Sequence, residues 1–212
     1  MKPTIYRIVA LAILSSSLIS ASGGEFDLRI RTIGGMEPIG TLSIKGASSR
    51  KPLSTSYGLS PGFEVYYILN DLFELGVGFQ WQLSRKVLSE NNPGSFGSIP
   101  IYSTTRIKLA AVENFSTYAL LKLGYNIFNS DNAFRRIWNS EPGGSFDSTK
   151  GGLYGMAALG VSTSVKEAPR WNLDFSMDVG YIFQRFIGSN SKKSYPLVYH
   201  EMSVHISLDW LL

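Results

Sequence analysis

From Phe26 onward the chain falls into eight stretches, and seven of them alternate apolar and polar residues with the two-residue period of a strand whose faces meet unlike surroundings. Leu72 to Ser84 is the clearest, with Phe73, Leu75, Val77, Phe79, Trp81 and Leu83 against Glu74, Gly76, Gly78, Gln80, Gln82 and Ser84. Trp171 to Phe183 repeats it: Trp171, Leu173, Phe175, Met177, Val179, Tyr181 and Phe183 lie opposite Asn172, Asp174, Ser176, Asp178, Gly180 and Ile182. The last stretch sets Val198, Met202, Val204, Ile206, Leu208 and Trp210 against Tyr199, Glu201, Ser203, His205, Ser207 and Asp209. Shorter runs lie around Leu28, Val65, Ile107 and Leu123, while Leu153 to Val165 is small or apolar on both faces.

Short connections at Asn70-Asp71, Val112 to Ser116 and Lys166 to Arg170 alternate with long polar ones. The long ones run over Gly34 to Ser56, Arg85 to Ser98, Asn129 to Gly151 and Ile187 to Pro196. This alternation predicts an all-β, eight-stranded antiparallel up-and-down transmembrane β-barrel, with short turns at one end and longer loops at the other.

Composition narrows the class. Charged residues make up 17% of the 212 residues and aromatics 13%, which excludes disorder. No cysteine is present, so disulfides, thiolate metal sites and a cysteine nucleophile are excluded. A formal charge of +4 is too small to point to nucleic acid. The opening MKPTIYRIVALAILSSSLISASGG joins Lys2 and Arg7 to an apolar run from Ile8 to Leu14 and then small residues, the pattern of a secretory signal peptide. The expected organisation is a signal peptide over 1–22 and one barrel domain over 23–212, in the bacterial outer membrane.

Alternation alone does not say which face is inside. A lipocalin-like soluble barrel turns the apolar face inward, and a membrane barrel turns it outward. Three features favour the second. Glycines at 62, 76, 78, 124 and 180 lie on the polar face, where a narrow interior needs room for large neighbours. Aromatics sit toward the ends of the apolar stripes, and Phe73, Trp81, Trp171, Tyr181 and Trp210 are the expected girdle residues. At ~3.3 Å per residue and a tilt near ~40°, Trp171 and Tyr181 stand roughly 25 Å apart along the membrane normal. The final stretch also keeps Leu208, Trp210 and Leu212 on the outward face.

IPIYSTTRIKLAAVENFSTYALLKLGYNIF (99–128), GGLYGMAALGV (151–161) and the final SVHISLDWLL together resemble the OmpA/OmpX-type small outer-membrane barrels grouped as the "porin family". The resemblance implies a barrel without cofactor, handled by the barrel assembly machinery, in contact with outer-membrane lipid and lipopolysaccharide. No further domain is expected after it. Members usually finish on Phe or Trp; here Trp210 stands two residues before Leu212.

With the polar face luminal, Arg29, Arg31, Arg106, Lys108 and Lys122 are expected to pair with Glu64, Glu74, Asp174, Asp178 and Glu201. An eight-stranded barrel is only wide enough for side chains to fill, and unpaired buried ions cost several kcal/mol, so a salt-bridged plug is expected. A small porin is the alternative. The third reading is a lipid A hydrolase, since Glu201, His205 and Ser207 share a face in a His-x-Ser arrangement; as luminal filler they need no chemistry. Gly76-x-Gly78 lies mid-strand with no helix after it and is not a phosphate loop. His200, on the opposite face from His205, reads as an interfacial residue rather than a metal ligand.

The loops carry basic residues at Lys45, Arg50, Lys51, Lys192 and Lys193, with Arg85 and Lys86 in the second loop window. Such a rim suits lipopolysaccharide phosphates or an anionic surface ligand, or is simply solvated. Phe134, Trp138 and Phe146 in the third loop form a contact surface or pack it onto the rim.

Overall fold

Strands form where the period-two pattern runs, and then continue well beyond it. The computed structural model describes residues 28–38, 40–44, 53–88, 94–136, 146–168, 171–191 and 193–212. The predicted signal peptide lies outside the described residues. In chain order the elements are β1 (Leu28–Glu37), β2 (Gly40–Ile44), β3 (Leu53–Thr55), β4 (Gly58–Ile68), β5 (Phe73–Gln80), β6 (Gln82–Leu88), β7 (Ser95–Val112) and β8 (Phe115–Ser130). Then follow the short helix α1 (Asn132–Arg136), β9 (Ser148–Lys150), β10 (Gly152–Ala168), β11 (Trp171–Ser189) and β12 (Ser194–Leu211).

Every pairing is antiparallel, and the ladder returns to its start. β1 pairs with β4, β4 with β5, β5 with β7, β7 with β8, β8 with β10, β10 with β11, β11 with β12, and β12 with β1. Leu28 and Leu212 exchange backbone hydrogen bonds of 3.3 and 2.9 Å at the seam. The short strands β2, β3, β6 and β9 carry neighbouring spans on toward the end away from Leu212, by pairing β2 with β12 and β3, β6 with β3 and β7, and β9 with β11. The eight predicted stretches thus appear as eight spans, several of them interrupted. No helix among the described residues is long and apolar enough to cross a membrane, which says nothing of strands.

The turns at the terminal end are tight. Asn70 Oδ1 accepts from the N–H groups of Leu72 and Phe73, both at 2.9 Å, and Glu113 takes the left-handed conformation with φ 51° in the next hairpin. The far-end loops are shorter than the sequence suggests. Residues 34–37, 40–44, 53–55, 85–88, 95–98, 148–150, 187–189 and 194–196, expected in loops, are strand. Polar inward residues do not end a strand when the interior itself is polar.

The polarity is inverted relative to a soluble barrel. Phe79 is 47% exposed and Trp81 58%, whereas Lys122 and Glu64 are both at 0%. Large inward side chains fit because glycines face them. Gly124 pairs with both Tyr102 and Tyr154, and those two rings stack across it at 5.3 Å. A Cβ on Gly124 would lie 2.1 Å from the Ile101 carbonyl oxygen, which as backbone cannot swing away. Gly155 has room, its nearest neighbour being the Leu123 side chain at 3.6 Å.

Gly124→Ala is therefore expected to lower stability by about 1–3 kcal/mol through overpacking, and Gly155→Ala to change it by less than about 1 kcal/mol. Urea unfolding in detergent micelles, followed by tryptophan fluorescence, measures both.

Candidate functional site

The distinctive chemistry lies inside the ring, where neighbouring registers stack charged residues in layers. At the terminal end, Asp209 of β12 is in register with Arg31 of β1 and Asp174 of β11. Its carboxylate meets Arg29 at 3.5 Å, Arg31 at 3.3 Å and Arg106 at 3.0 Å, and accepts from the Ser176 hydroxyl at 2.8 Å. Arg29 also pairs with Glu74 at 3.0 Å and Asp174 at 3.1 Å. The Arg106 guanidinium lies 3.8 Å from the Tyr118 ring centre.

One layer farther in, Arg31 reaches Asp178 at 2.5 Å and Glu64 at 3.6 Å, and Lys122 reaches Glu64 at 2.7 Å. The hydroxyls of Tyr66 and Tyr102 each donate to Glu64 at 2.7 Å. His205 Nδ1 stands 3.0 Å from Asp178, and its Nε2 is 3.2 Å from Gln80. Toward the far end, Arg85 bridges Glu201 and Glu37, the latter at 3.1 Å, while Gln82 and Tyr199 donate to Glu201 at 3.2 and 2.9 Å.

Above this layer the interior turns apolar. Leu42, Val87, Phe96, Phe128, Phe186 and Leu197 are buried together with Phe134 and Phe146 from the third loop. The Phe128 and Phe186 rings are 4.0 Å apart, and Phe134 lies 5.5 Å from Phe96. The third loop thus folds its aromatics into the mouth; Trp138 lies outside the described residues. Asp131 anchors the loop as the N-cap of α1, accepting from the N–H of Phe134 at 2.6 Å and from the Ser95 hydroxyl at 2.7 Å. Partial burial disfavours its charge, but these donors and the Ser95 N–H outweigh that and hold its pKa below the ordinary aspartate value.

Of the charges expected in the interior, Arg29, Arg31, Glu64, Glu74, Arg106, Lys122, Asp174, Asp178 and Glu201 stand in these ion-paired layers. Lys108 does not. A bulge between Lys108 and Ala110 breaks the register near the turn, and Lys108 is exposed with no ion pair among the described residues. Phe73, Trp81 and Tyr181 are exposed on the outer face, with Trp171 and Trp210 half-buried there. Lys193 is exposed in the β11–β12 turn, while Lys45, Arg50, Lys51 and Lys192 lie outside the described residues.

Three charged network members are not picked out by the pattern of the predicted strands. Asp209 falls on the inward face of the last stretch, where only the fold gathers three arginines on it. Glu37 falls in a predicted loop, although continuing the alternation from Arg29 and Arg31 brings it inside. Arg85 carries no such signal, because unbroken alternation from Phe73 turns it outward. A bulge between Gln82 and Arg85 exposes both Leu83 and Ser84, correcting the inward placement of Ser84, and swings Arg85 into the interior.

Ser207 is buried and accepts from Arg31 Nε at 2.8 Å, while His205 turns its two nitrogens to Asp178 and Gln80. The pair therefore has the arrangement of network members rather than of a nucleophile and its base.

Asp209→Ala leaves Arg29, Arg31 and Arg106 short of a shared counter-ion, so a loss of about 3–5 kcal/mol is expected. Lys108→Met is expected to change stability by less than about 0.5 kcal/mol; urea midpoints compare the two. Asp131→Ala is expected to cost about 1 kcal/mol locally, seen as faster hydrogen exchange at the Phe134 amide. Because the folded pKa of Asp131 lies below the unfolded one, the contribution of the cap is full above about pH 4 and fades as pH falls through the lowered value.

No family model and no curated sequence matches the chain. Solved structures do. OprG, an outer membrane protein of Pseudomonas aeruginosa, aligns with 13% identity and a TM-score of 0.53, covering 88% of this chain and 96% of OprG. The outer membrane protein AlkL, solved in lipid bilayers, aligns with 13% identity and a TM-score of 0.50, covering 91% and 92%. Neisserial surface protein A aligns with 16% identity over 86% of this chain and 98% of its own, with a TM-score of 0.48. At such identities the likeness is one of fold: this chain has the antiparallel β architecture of small outer-membrane β-barrel proteins.

Proposed function

We propose that the chain is an eight-stranded up-and-down transmembrane β-barrel of a bacterial outer membrane, exported by residues 1–22, with a non-enzymatic role. That role is to maintain the membrane or to contact the cell's surroundings through the loops at the far end, which face outward. Outer-membrane lipid and lipopolysaccharide surround it, and the barrel assembly machinery inserts it.

The observation that carries this reading is the polarity of the closed sheet. Leu75, Val77, Phe79, Leu121, Leu123, Val179 and Ile206 are each exposed on the outside, which in water would be a continuous apolar patch far beyond what soluble monomers tolerate. In a bilayer the same belt is solvated by lipid, and closure of the ladder pairs strand edges that lipid could not satisfy. The interior supports a structural role over a porin. Arg31, Lys122, Tyr66, Tyr118 and Tyr154 fill its middle, and the Phe96–Phe128–Phe186 group fills the far mouth. Ions placed against ions leave little space for a hydrated solute.

Purified full-length protein in detergent tests both parts. The unboiled protein is expected to migrate apart from the boiled form on electrophoresis, and to give no stable single-channel steps in planar bilayers. Mobility that never shifts on boiling overturns the barrel; large, stable steps overturn the plug in favour of a porin.

A further inference from the structure

The apolar belt ends in a small basic site on the outer wall. On the far half of the outward face, Arg185 of β11 stands in register with Val198 of β12, and Val198 with Ser43 of β2. One step toward the terminal end, Phe183 is in register with His200 and His200 with Thr41. Ser43, Phe183, Arg185 and Val198 line a groove of about 310 Å³. Beneath it, His200 Nδ1 and the Tyr181 hydroxyl are 2.5 Å apart, and the Phe183 and His200 ring centres 5.3 Å, which locks three rings into a ledge. Lys150 of β9 pairs with Ile187, two residues beyond Arg185 on the same face.

Arg185 and Lys150 are exposed, and neither has a hydrogen-bond or ion-pair partner among the described residues. This differs from the interior, where the arginines are paired. The nearest carboxylate along the chain from Lys150, Asp147, lies at the rim. Diagonal neighbours on adjacent strands are roughly 7–8 Å apart at their Cα atoms, so two long cationic side chains can converge on one anionic group or take two adjacent ones. Height fixes which anion that is. With the aromatic girdle at Tyr181, four residues at ~3.3 Å and a tilt near ~40° carry Arg185 about 10 Å beyond the hydrocarbon edge, into the headgroup layer.

We propose that this wall binds the phosphorylated head of one lipid A molecule. Arg185 and Lys150 take its phosphates, and Phe183, Val198 and the Tyr181–His200 pair seat an acyl chain below. The site rests on the outer-membrane reading above, which places the far end in the leaflet where lipid A resides. It moves the lipopolysaccharide contact from the loops, where basic residues suggested it, onto the strands. A guanidinium and an ammonium facing lipid at that height are favourable against phosphate and costly against hydrocarbon.

Native mass spectrometry of the full chain in detergent micelles tests it with three probes: bisphosphorylated lipid A, the same lipid after removal of its phosphates, and phosphatidylglycerol. The wild type is expected to retain bisphosphorylated lipid A at least about tenfold more strongly than either of the others. The double variant Arg185→Ala/Lys150→Ala is expected to lose that preference. Lys86→Ala, an exposed cation on β6, four strands around the ring from the β11 that carries Arg185, is expected to keep it. Equal retention of the phosphate-free lipid, equal retention of phosphatidylglycerol, or an unchanged preference in the double variant each overturns the site. Heat-modifiable mobility of all variants separates these outcomes from failure of the barrel, since a protein that loses the site alone still shifts on boiling.

Discussion

The structure depends on keeping ions paired within a ring that presents hydrocarbon to its surroundings. Asp209 holds Arg29, Arg31 and Arg106; Glu64 holds Lys122 and Arg31; Glu201 and Glu37 share Arg85. Each carboxylate comes from a different span than its cation, so the network cross-ties strands that otherwise touch only through their ladder neighbours. Desolvating such groups is expensive, and the pairs offset that cost only with all partners in place. The interior is therefore specific as well as filled: a slip of one residue in any span would turn its charges to the outside.

Filling the interior with large polar side chains imposes a second condition, which the glycines meet. Gly124 lies between Tyr102 and Tyr154, and a Cβ on Gly160 would meet the Tyr118 ring. Tyrosines suit these positions because their rings occupy volume while their hydroxyls serve the carboxylates, as Tyr66 and Tyr102 do for Glu64. At the far mouth the requirement changes. The aromatic group of Phe96, Phe128 and Phe186 receives Phe134 and Phe146 from the third loop. The loop is held by packing inside and by the Asp131 cap at the rim.

On the proposed function, the interior holds the ring together, and the outer wall and the far-end loops are the surfaces left to meet other molecules. Arg185 and Lys150 are notable in that frame, because among the described residues they are cations without partners in a molecule that pairs its buried ones so thoroughly.

By itself the amino-acid sequence determined the antiparallel all-β architecture and the two faces of most of its strands, since a period of two is a local property that survives any detail of packing. It also determined that Arg29, Arg31, Glu64, Lys122 and Asp178 share one face. What only the tertiary structure decided is where the alternation breaks and which charges meet. The bulge after Gln82 brings Arg85 inward, and the bulge at Lys108 accompanies its exposure. Strands expected to stop at Gly34 and Ser98 run on, because polar inward residues such as Glu37 look like loop residues until an interior partner exists for them. The role of Asp209 was hidden for the same reason: the arginines that meet it lie 103 to 180 residues away in sequence, and only closure of the ring brings them together.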